Sequence, residues 1–158
     1  RLVRERVELI SRQVLRDLRV SVFVIKAVRE QLRYDTKRLV VEAGKPFQIV
    51  FENVDAMPHN LVIVQPGTYQ ELAVSVQTPA PDKLDSKGRA YVPENGSRVI
   101  AASHLIEPGK SETLNLTAPD KEGTYEYVCT FPGHWSIMNG KLIVTKDVKA
   151  WLAAHPEK

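Results

Sequence analysis

Short runs of β-branched and aromatic residues occupy most of the chain after residue 19, and turn sequences separate them. Runs of this length and composition are typical of β-strands. Seven of them stand out, at residues 20–25, 39–41, 47–51, 61–64, 113–116, 125–129 and 141–144. Gly- and Pro-containing turn sequences fall between the runs, for example at 43–46 and 108–110. Seven short strands separated in this way predict an all-β chain folded as an antiparallel β-sandwich.

Alternation within two of these runs indicates which side chains face the core. Every second side chain of a strand lies on the same face of the sheet. In the run 47–51, both phenylalanines and the isoleucine share a face. Tyr125, Tyr127 and Cys129 likewise share a face of their strand. We therefore expect Cys129 to end a strand with its thiol pointing into the sandwich.

Three parts of the chain do not follow the strand pattern. Residues 65–98 contain four prolines, and we expect a short helix at 69–76 that forms a flap between the middle strands. Residues 1–18 place apolar side chains at helical spacing between arginines and acids, which predicts an amphipathic N-terminal extension. Residues 147–158 are predicted to form a short C-terminal helix. The predicted β domain then spans residues 19–146.

Charge is concentrated at the N-terminal end of the chain. The sequence of 158 residues carries a formal net charge of +3, and residues 1–19 hold six arginines against three acids. The remainder is close to neutral, which argues against a nucleic-acid partner because such partners require a basic surface. No apolar stretch approaches the roughly 18 residues that span a bilayer, so we expect no transmembrane segment.

Cys129 is the only cysteine of the chain, and it opens a run of ten residues that also contains His134 and Met138. A single cysteine leaves three roles open: buried bystander, reactive nucleophile or metal ligand. The Pro-Gly pair at 132–133 favours a tight turn that aims two side chains at one ion. A thiolate, an imidazole and a thioether suit copper, whereas a structural zinc site would offer more thiolates or carboxylates. The run therefore favours a copper ligand.

A copper site of this type needs a second histidine. His59 precedes the run 61–64, far from the ligand loop in sequence, which suits a donor held by a rigid sandwich. His104 lies at the approach to a turn and His155 in the C-terminal tail, so we expect both to be solvated. His59 is therefore the predicted second histidine ligand.

The ten-residue run is similar to the ligand loop of azurins, within the cupredoxin family, in its Cys-x4-His-x3-Met spacing. The similarity covers about residues 20–145, with matching segments at 31–36, 59–60, 97–101, 105–106 and 129–138. The resemblance implies a Greek-key, cupredoxin-like sandwich with one copper ion that cycles between Cu(I) and Cu(II). The cysteines of the azurin disulfide are missing from this chain.

The resemblance also assigns roles at the metal site. It implies that His59, Cys129 and His134 are strong ligands and that Met138 is a weak axial ligand. The carbonyl of Pro58 would be a second axial contact, at a position where azurins have glycine.

Further contacts follow from the same resemblance and from the apolar residues near the loop. The backbone amides of Asn60 and Phe131 would donate to the Cys129 sulfur, where such contacts tune the metal. Around His134 we expect an apolar patch suited to a transient redox contact. Its residues would be Met57, Pro58, Pro132, Trp135 and Ile137.

The predicted function is that of an electron carrier and not of an enzyme. The resemblance implies a redox partner such as a c-type cytochrome, and a periplasmic or extracytoplasmic location. We also expect the N-terminal helix to contact a neighbouring domain or subunit.

Two alternative functions stay open. A copper-binding module of a larger redox enzyme would place a histidine directly after the ligand cysteine, where this chain has Thr130. A copper carrier would display many methionines or histidines for exchange, whereas this chain has two methionines.

Overall fold

The computed structural model describes residues 20–77, 83–94 and 96–157. The amphipathic helix predicted for residues 1–18 lies outside the described residues. Two helices form in the described part, α1 (Tyr69–Ser75) and α2 (Val148–Ala154). Neither of them is long and apolar enough to cross a membrane.

Nine strands in the described part of the chain build two sheets whose inner side chains share one core. The strands are β1 (Ser21–Val28), β2 (Arg33–Tyr34), β3 (Arg38–Glu42), β4 (Pro46–Glu52), β5 (Val62–Val64), β6 (Val99–Ala102), β7 (Ser111–Thr117), β8 (Gly123–Val128) and β9 (Asn139–Thr145). Their order is β2-β1-β4-β7 in one sheet and β3-β9-β8-β5-β6 in the other. The predicted all-β sandwich is confirmed.

Strand direction differs in part from the predicted antiparallel sandwich. β1 pairs with β4 in parallel, and β3 pairs with β9 in parallel, so both sheets are mixed. The physical reason is that consecutive strands often lie in different sheets, as β3 and β4 do. Composition identifies the strands, but it does not reveal which distant strands become neighbours.

The core contains the side chains that alternation placed there. Phe47, Ile49 and Phe51 are buried, as are Tyr125, Tyr127 and Cys129. At the centre, the ring of Tyr34 meets those of Phe51 and Tyr127 edge to face, with centroids 5.8 and 5.4 Å apart. Gly140 in β9 lies against the Tyr127 ring, leaving no room there for a Cβ atom.

The structure contains a helix within each of the predicted segments 69–76 and 147–158, but two of its strands were not predicted. α1 lies within the predicted flap, and α2 begins after Asp147, whose carboxylate accepts the Ala150 amide at 3.0 Å. β2 has only two residues, and the four-residue β6 directly follows the proline-rich segment 65–98, so neither showed a clear strand pattern.

Candidate metal centre

Three side-chain donors from two distant parts of the chain converge at one end of the sandwich. The Nδ1 atoms of His59 and His134 are 3.2 Å apart. The Cys129 sulfur lies 3.8 Å from Nδ1 of His59 and 3.6 Å from Nδ1 of His134. All three residues are buried. The structure therefore brings together the thiol and both imidazoles that the sequence pattern indicated.

The size and chemistry of this triangle fit a metal ion. A point equidistant from the three atoms lies about 2 Å from each, which is close to the length of a metal–nitrogen bond. One soft sulfur and two imidazole nitrogens form the trigonal set that distinguishes blue-copper sites. His59, Cys129 and His134 could therefore hold a single copper ion.

The His59 segment is held by backbone hydrogen bonds to Ile106 and by the side chain of the neighbouring Asn60. The backbone of His59 bridges to Ile106, with N···O distances of 3.1 and 2.8 Å. The buried amide of Asn60 accepts the Thr130 N–H at 2.8 Å and donates to the Thr130 hydroxyl at 2.8 Å. This paired contact ties the His59 segment directly to the residue that follows Cys129.

The ligand loop reverses direction immediately after Cys129. Gly133 has a φ of 85°, a conformation that favours glycine, and the His134 amide donates to the Phe131 carbonyl at 3.1 Å. Met138 closes the loop, because its amide donates to the His134 carbonyl and its carbonyl accepts the Cys129 amide at 3.0 Å. Met138 is fully buried in the same core cluster as Cys129. Its role as an axial ligand stays a prediction.

Gln77 also holds this loop, a role that no sequence pattern indicated. Its amide nitrogen donates to the Thr130 carbonyl at 3.0 Å, and its amide oxygen accepts the Gly133 N–H at 2.8 Å. Gln77 also donates to the Ala73 carbonyl at the end of α1, at 2.7 Å. The helical flap therefore holds the ligand loop from outside the sheets.

Asp55 is a second residue at the site that no sequence pattern indicated. Its Oδ2 lies 2.7 Å from Nε2 of His59, and both side chains are buried. The spacing of four residues in an irregular loop carries no periodic signal, so only the structure brings the two groups together.

Burial sets the protonation of the donors. It raises the pKa of the Cys129 thiol to about 11, against the opposing effect of the Asn60 and Phe131 backbone amides, which hydrogen-bond to the sulfur. Burial lowers the pKa of His134 to about 4, and the electrostatic effect of the neighbouring His59 ring acts in the same direction while that of Asp55 opposes it. At neutral pH the His134 imidazole is therefore neutral, and the binding of a cation must displace the thiol proton.

Hydrogen bonds together have a larger effect than burial on the pKa of the Asp55 carboxyl. Burial opposes ionisation of the carboxyl, but bonds from His59 and from the Glu30 and Ala56 amides hold its pKa below the ordinary value. The carboxylate next to His59 is therefore charged at neutral pH.

The residues of the predicted partner patch differ in exposure. Met57 and Ile137 are 41% and 61% exposed, whereas Pro58 and Pro132 are half-buried. Trp135 is also half-buried and packs against Tyr69 of α1, with ring centroids 6.4 Å apart. Trp135 therefore serves partly as packing for the flap.

The remaining histidines lie away from the donor triangle. His104 and His155 are both exposed, as predicted, and His104 contacts Glu112 with a 2.6 Å distance between Nδ1 and Oε1. Phe131 is half-buried beside His134, with ring centroids 4.8 Å apart.

Comparison with known proteins agrees with this geometry. The family model for copper binding proteins of the plastocyanin/azurin family matches residues 22–145. Auracyanin-A of Chloroflexus aurantiacus is 36% identical over 118 residues, which cover 73% of this chain and 68% of the relative. Azurin of Achromobacter denitrificans is 30% identical, covering 72% of this chain and 77% of the relative.

A solved structure and one further relative extend the comparison. The structure of auracyanin A, described as a "blue" copper protein, superposes with a TM-score of 0.69 at 33% identity and covers 78% of this chain and 98% of that one. Outer membrane protein H.8 of Neisseria gonorrhoeae is 32% identical over 120 residues, which cover 72% of this chain and 62% of that protein.

Proposed function

The chain belongs to the plastocyanin/azurin family of copper binding proteins, and from this premise we propose that it takes up and releases single electrons at one copper ion. It acts as a carrier and not as an enzyme, in keeping with its similarity to azurins and auracyanins. The observation that carries the proposal is the buried triangle of one thiol and two imidazoles, with sides of 3.2, 3.6 and 3.8 Å.

The surrounding structure would hold these ligands still while the charge of the ion changes. Bound copper supplies the one-electron couple. The His59 segment is tied to Thr130 through Asn60, and the ligand loop is braced by Gln77. These contacts do not depend on the metal, so little rearrangement accompanies gain or loss of an electron. Fast transfer requires such a rigid site.

Four further residues complete the proposed site. Met138 would be the weak axial ligand, and the Pro58 carbonyl a second axial contact. The amides of Asn60 and Phe131 would draw electron density from the Cys129 sulfur, since a hydrogen bond to a ligand tunes its metal.

Electrons would enter and leave through His134. Its ring packs against Phe131, and the exposed Ile137 donates its amide to the His134 carbonyl at 3.2 Å. A small apolar surface beside this ligand, including Met57 and Pro132, suits a weak contact that forms and separates quickly. A c-type cytochrome is the proposed partner. An extracytoplasmic location is supported by the similarity to an outer membrane protein.

Copper titration of the reduced, metal-free protein tests the proposed function. Cu(II) should bind once per chain and give an intense blue absorption from thiolate-to-copper charge transfer, with an EPR spectrum to match. A pale solution, typical of nitrogen and oxygen ligands alone, would refute the proposal.

Replacing Met138 with leucine tests the axial position. We expect the protein to stay blue and its reduction potential to rise, because the thioether stabilises Cu(II) more than leucine can. A tenfold loss in relative affinity for Cu(II) over Cu(I) corresponds to about 59 mV, and we expect a shift of at least this size. Voltammetry of the loaded protein measures it.

Met57→Leu is the matched control, since Met57 is the other methionine of the chain and is 41% exposed. Its potential should equal that of the unmodified protein. Equal potentials for both variants would show that Met138 is not a ligand.

A further inference from the structure

We propose that Asp55 is a positioning residue for electron transfer, which holds His59 through its outer ring nitrogen and lowers the reduction potential of the site. The inference rests on the proposed copper function and assigns to one carboxylate the task of favouring Cu(II). Nothing in the spacing of the metal ligands themselves indicates this task.

The His59 ring lies between the carboxylate and the donor triangle. Nε2 of His59 is 2.7 Å from Oδ2 of Asp55, while Nδ1 faces His134 and Cys129 at 3.2 and 3.8 Å. A proton on Nε2, donated to the carboxylate, leaves the lone pair of Nδ1 directed at the metal position. The contact therefore selects both the tautomer and the orientation of this ligand.

Asp55 is itself held in a fixed position. Its Oδ1 accepts the amides of Glu30 at 3.0 Å and Ala56 at 2.8 Å. Its own amide donates to Oδ1 of Asn53 at 3.0 Å. Both carboxylate oxygens are engaged, so the side chain cannot turn away from His59.

Asn53 extends this support to the backbone around the ligand. Its side-chain amide donates to the carbonyls of Met57 and Ile106, at 2.7 and 2.8 Å. Ile106 is also the backbone partner of His59. Asp55 and His59 are thus both held by the segment that Asn53 and Ile106 form, so the distance between the carboxylate and the ring is fixed.

An anion in this place affects the two oxidation states unequally. A carboxylate that accepts the outer N–H of a ligand histidine raises the basicity of the ring. The buried negative charge also attracts the ion itself, and more strongly when the ion is doubly charged. Both effects stabilise Cu(II) over Cu(I), which lowers the reduction potential.

The variant Asp55→Asn tests the proposal in the copper-loaded protein. Asparagine retains the shape and an acceptor oxygen but removes the charge. Partners of metal-bound histidines typically contribute about tenfold to a hundredfold in metal affinity. We expect the affinity ratio of Cu(II) to Cu(I) to fall by this factor, and the potential to rise by about 59 mV for each tenfold.

Asp85→Asn is the matched control. Asp85 is also a carboxylate in an i,i+4 pair, with Oδ2 2.7 Å from Nε of Arg89, and it accepts the Arg89 and Lys87 amides. It does not contact the donor triangle, so its replacement should leave the potential unchanged. A potential that is unchanged in Asp55→Asn, or that rises equally in both variants, would overturn the proposal.

A measurement without metal or substitution covers the case in which Asp55→Asn does not fold. Long-range ¹⁵N–¹H NMR of the metal-free protein should find the His59 proton on Nε2, and a proton on Nδ1 instead would overturn the proposal. Failure of the copper function looks different, because the unmodified protein would then not turn blue with Cu(II).

Discussion

We expect the replacement of Cys129 with alanine to abolish completely the intense blue absorption of the copper-loaded protein. The absorption arises from charge transfer between a thiolate and Cu(II), and the chain contains no other cysteine. His59 and His134 would remain, 3.2 Å apart, so copper could still bind with the pale colour of a nitrogen site. Absorption spectra of both proteins after loading with one equivalent of Cu(II) measure the effect.

His104→Ala is the control for this experiment. His104 is exposed and contacts Glu112 rather than the donor triangle, so its removal should leave the blue colour intact. Blue absorption that survives in Cys129→Ala, or disappears in His104→Ala, would contradict the assigned ligands.

Gly140→Ala is expected to destabilise the metal-free protein by about 3 kcal/mol, the upper part of the range for an overpacked core. A Cβ atom at residue 140 would overlap the ring and hydroxyl of Tyr127. Tyr127 is fully buried, packs on Tyr34 and donates its hydroxyl to the Thr36 carbonyl, so the ring has no free space to enter. Urea denaturation followed by circular dichroism measures the change in unfolding free energy.

Gly123→Ala provides the matched comparison, since Gly123 is the first residue of β8, the strand that pairs with β9. The nearest atom to its added Cβ is a Tyr125 ring carbon at 3.8 Å, an ordinary contact. We expect a change within about 1 kcal/mol, because alanine also restricts the unfolded chain. Equal destabilisation by both substitutions would mean that the Tyr127 contact is not the cause.

Local patterns in the sequence were sufficient to predict most of the strands and the direction of their side chains. β-branched runs predicted seven of the strands, and alternation placed Cys129 in the core. The pairing of β1 with β4 and of β3 with β9 could not be predicted in this way, because it depends on contacts between distant segments.

The residues of the candidate site show the same distinction between local patterns, which can be predicted, and distant contacts, which cannot. His59, Cys129 and His134 were predictable because their chemistry and the loop spacing are distinctive. Asp55 and Gln77 were not, since a carboxylate in a loop and an amide after a helix are common in any sequence. Their roles come from contacts, such as that of Gln77 with Gly133, 56 residues apart.

The parallel pairing of β3 with β9 also governs when the site can come into existence during folding. Arg38 lies opposite Lys141, about 100 residues later in the chain, and contacts of such separation slow folding. The ligand loop lies immediately before β9. The loop is therefore held in place only after β9 has paired with β3, which lies near the other end of the domain. Before β9 has paired with β3 the ligand loop is not held against the sheet, so we expect the buried donor triangle to form only once the fold is complete.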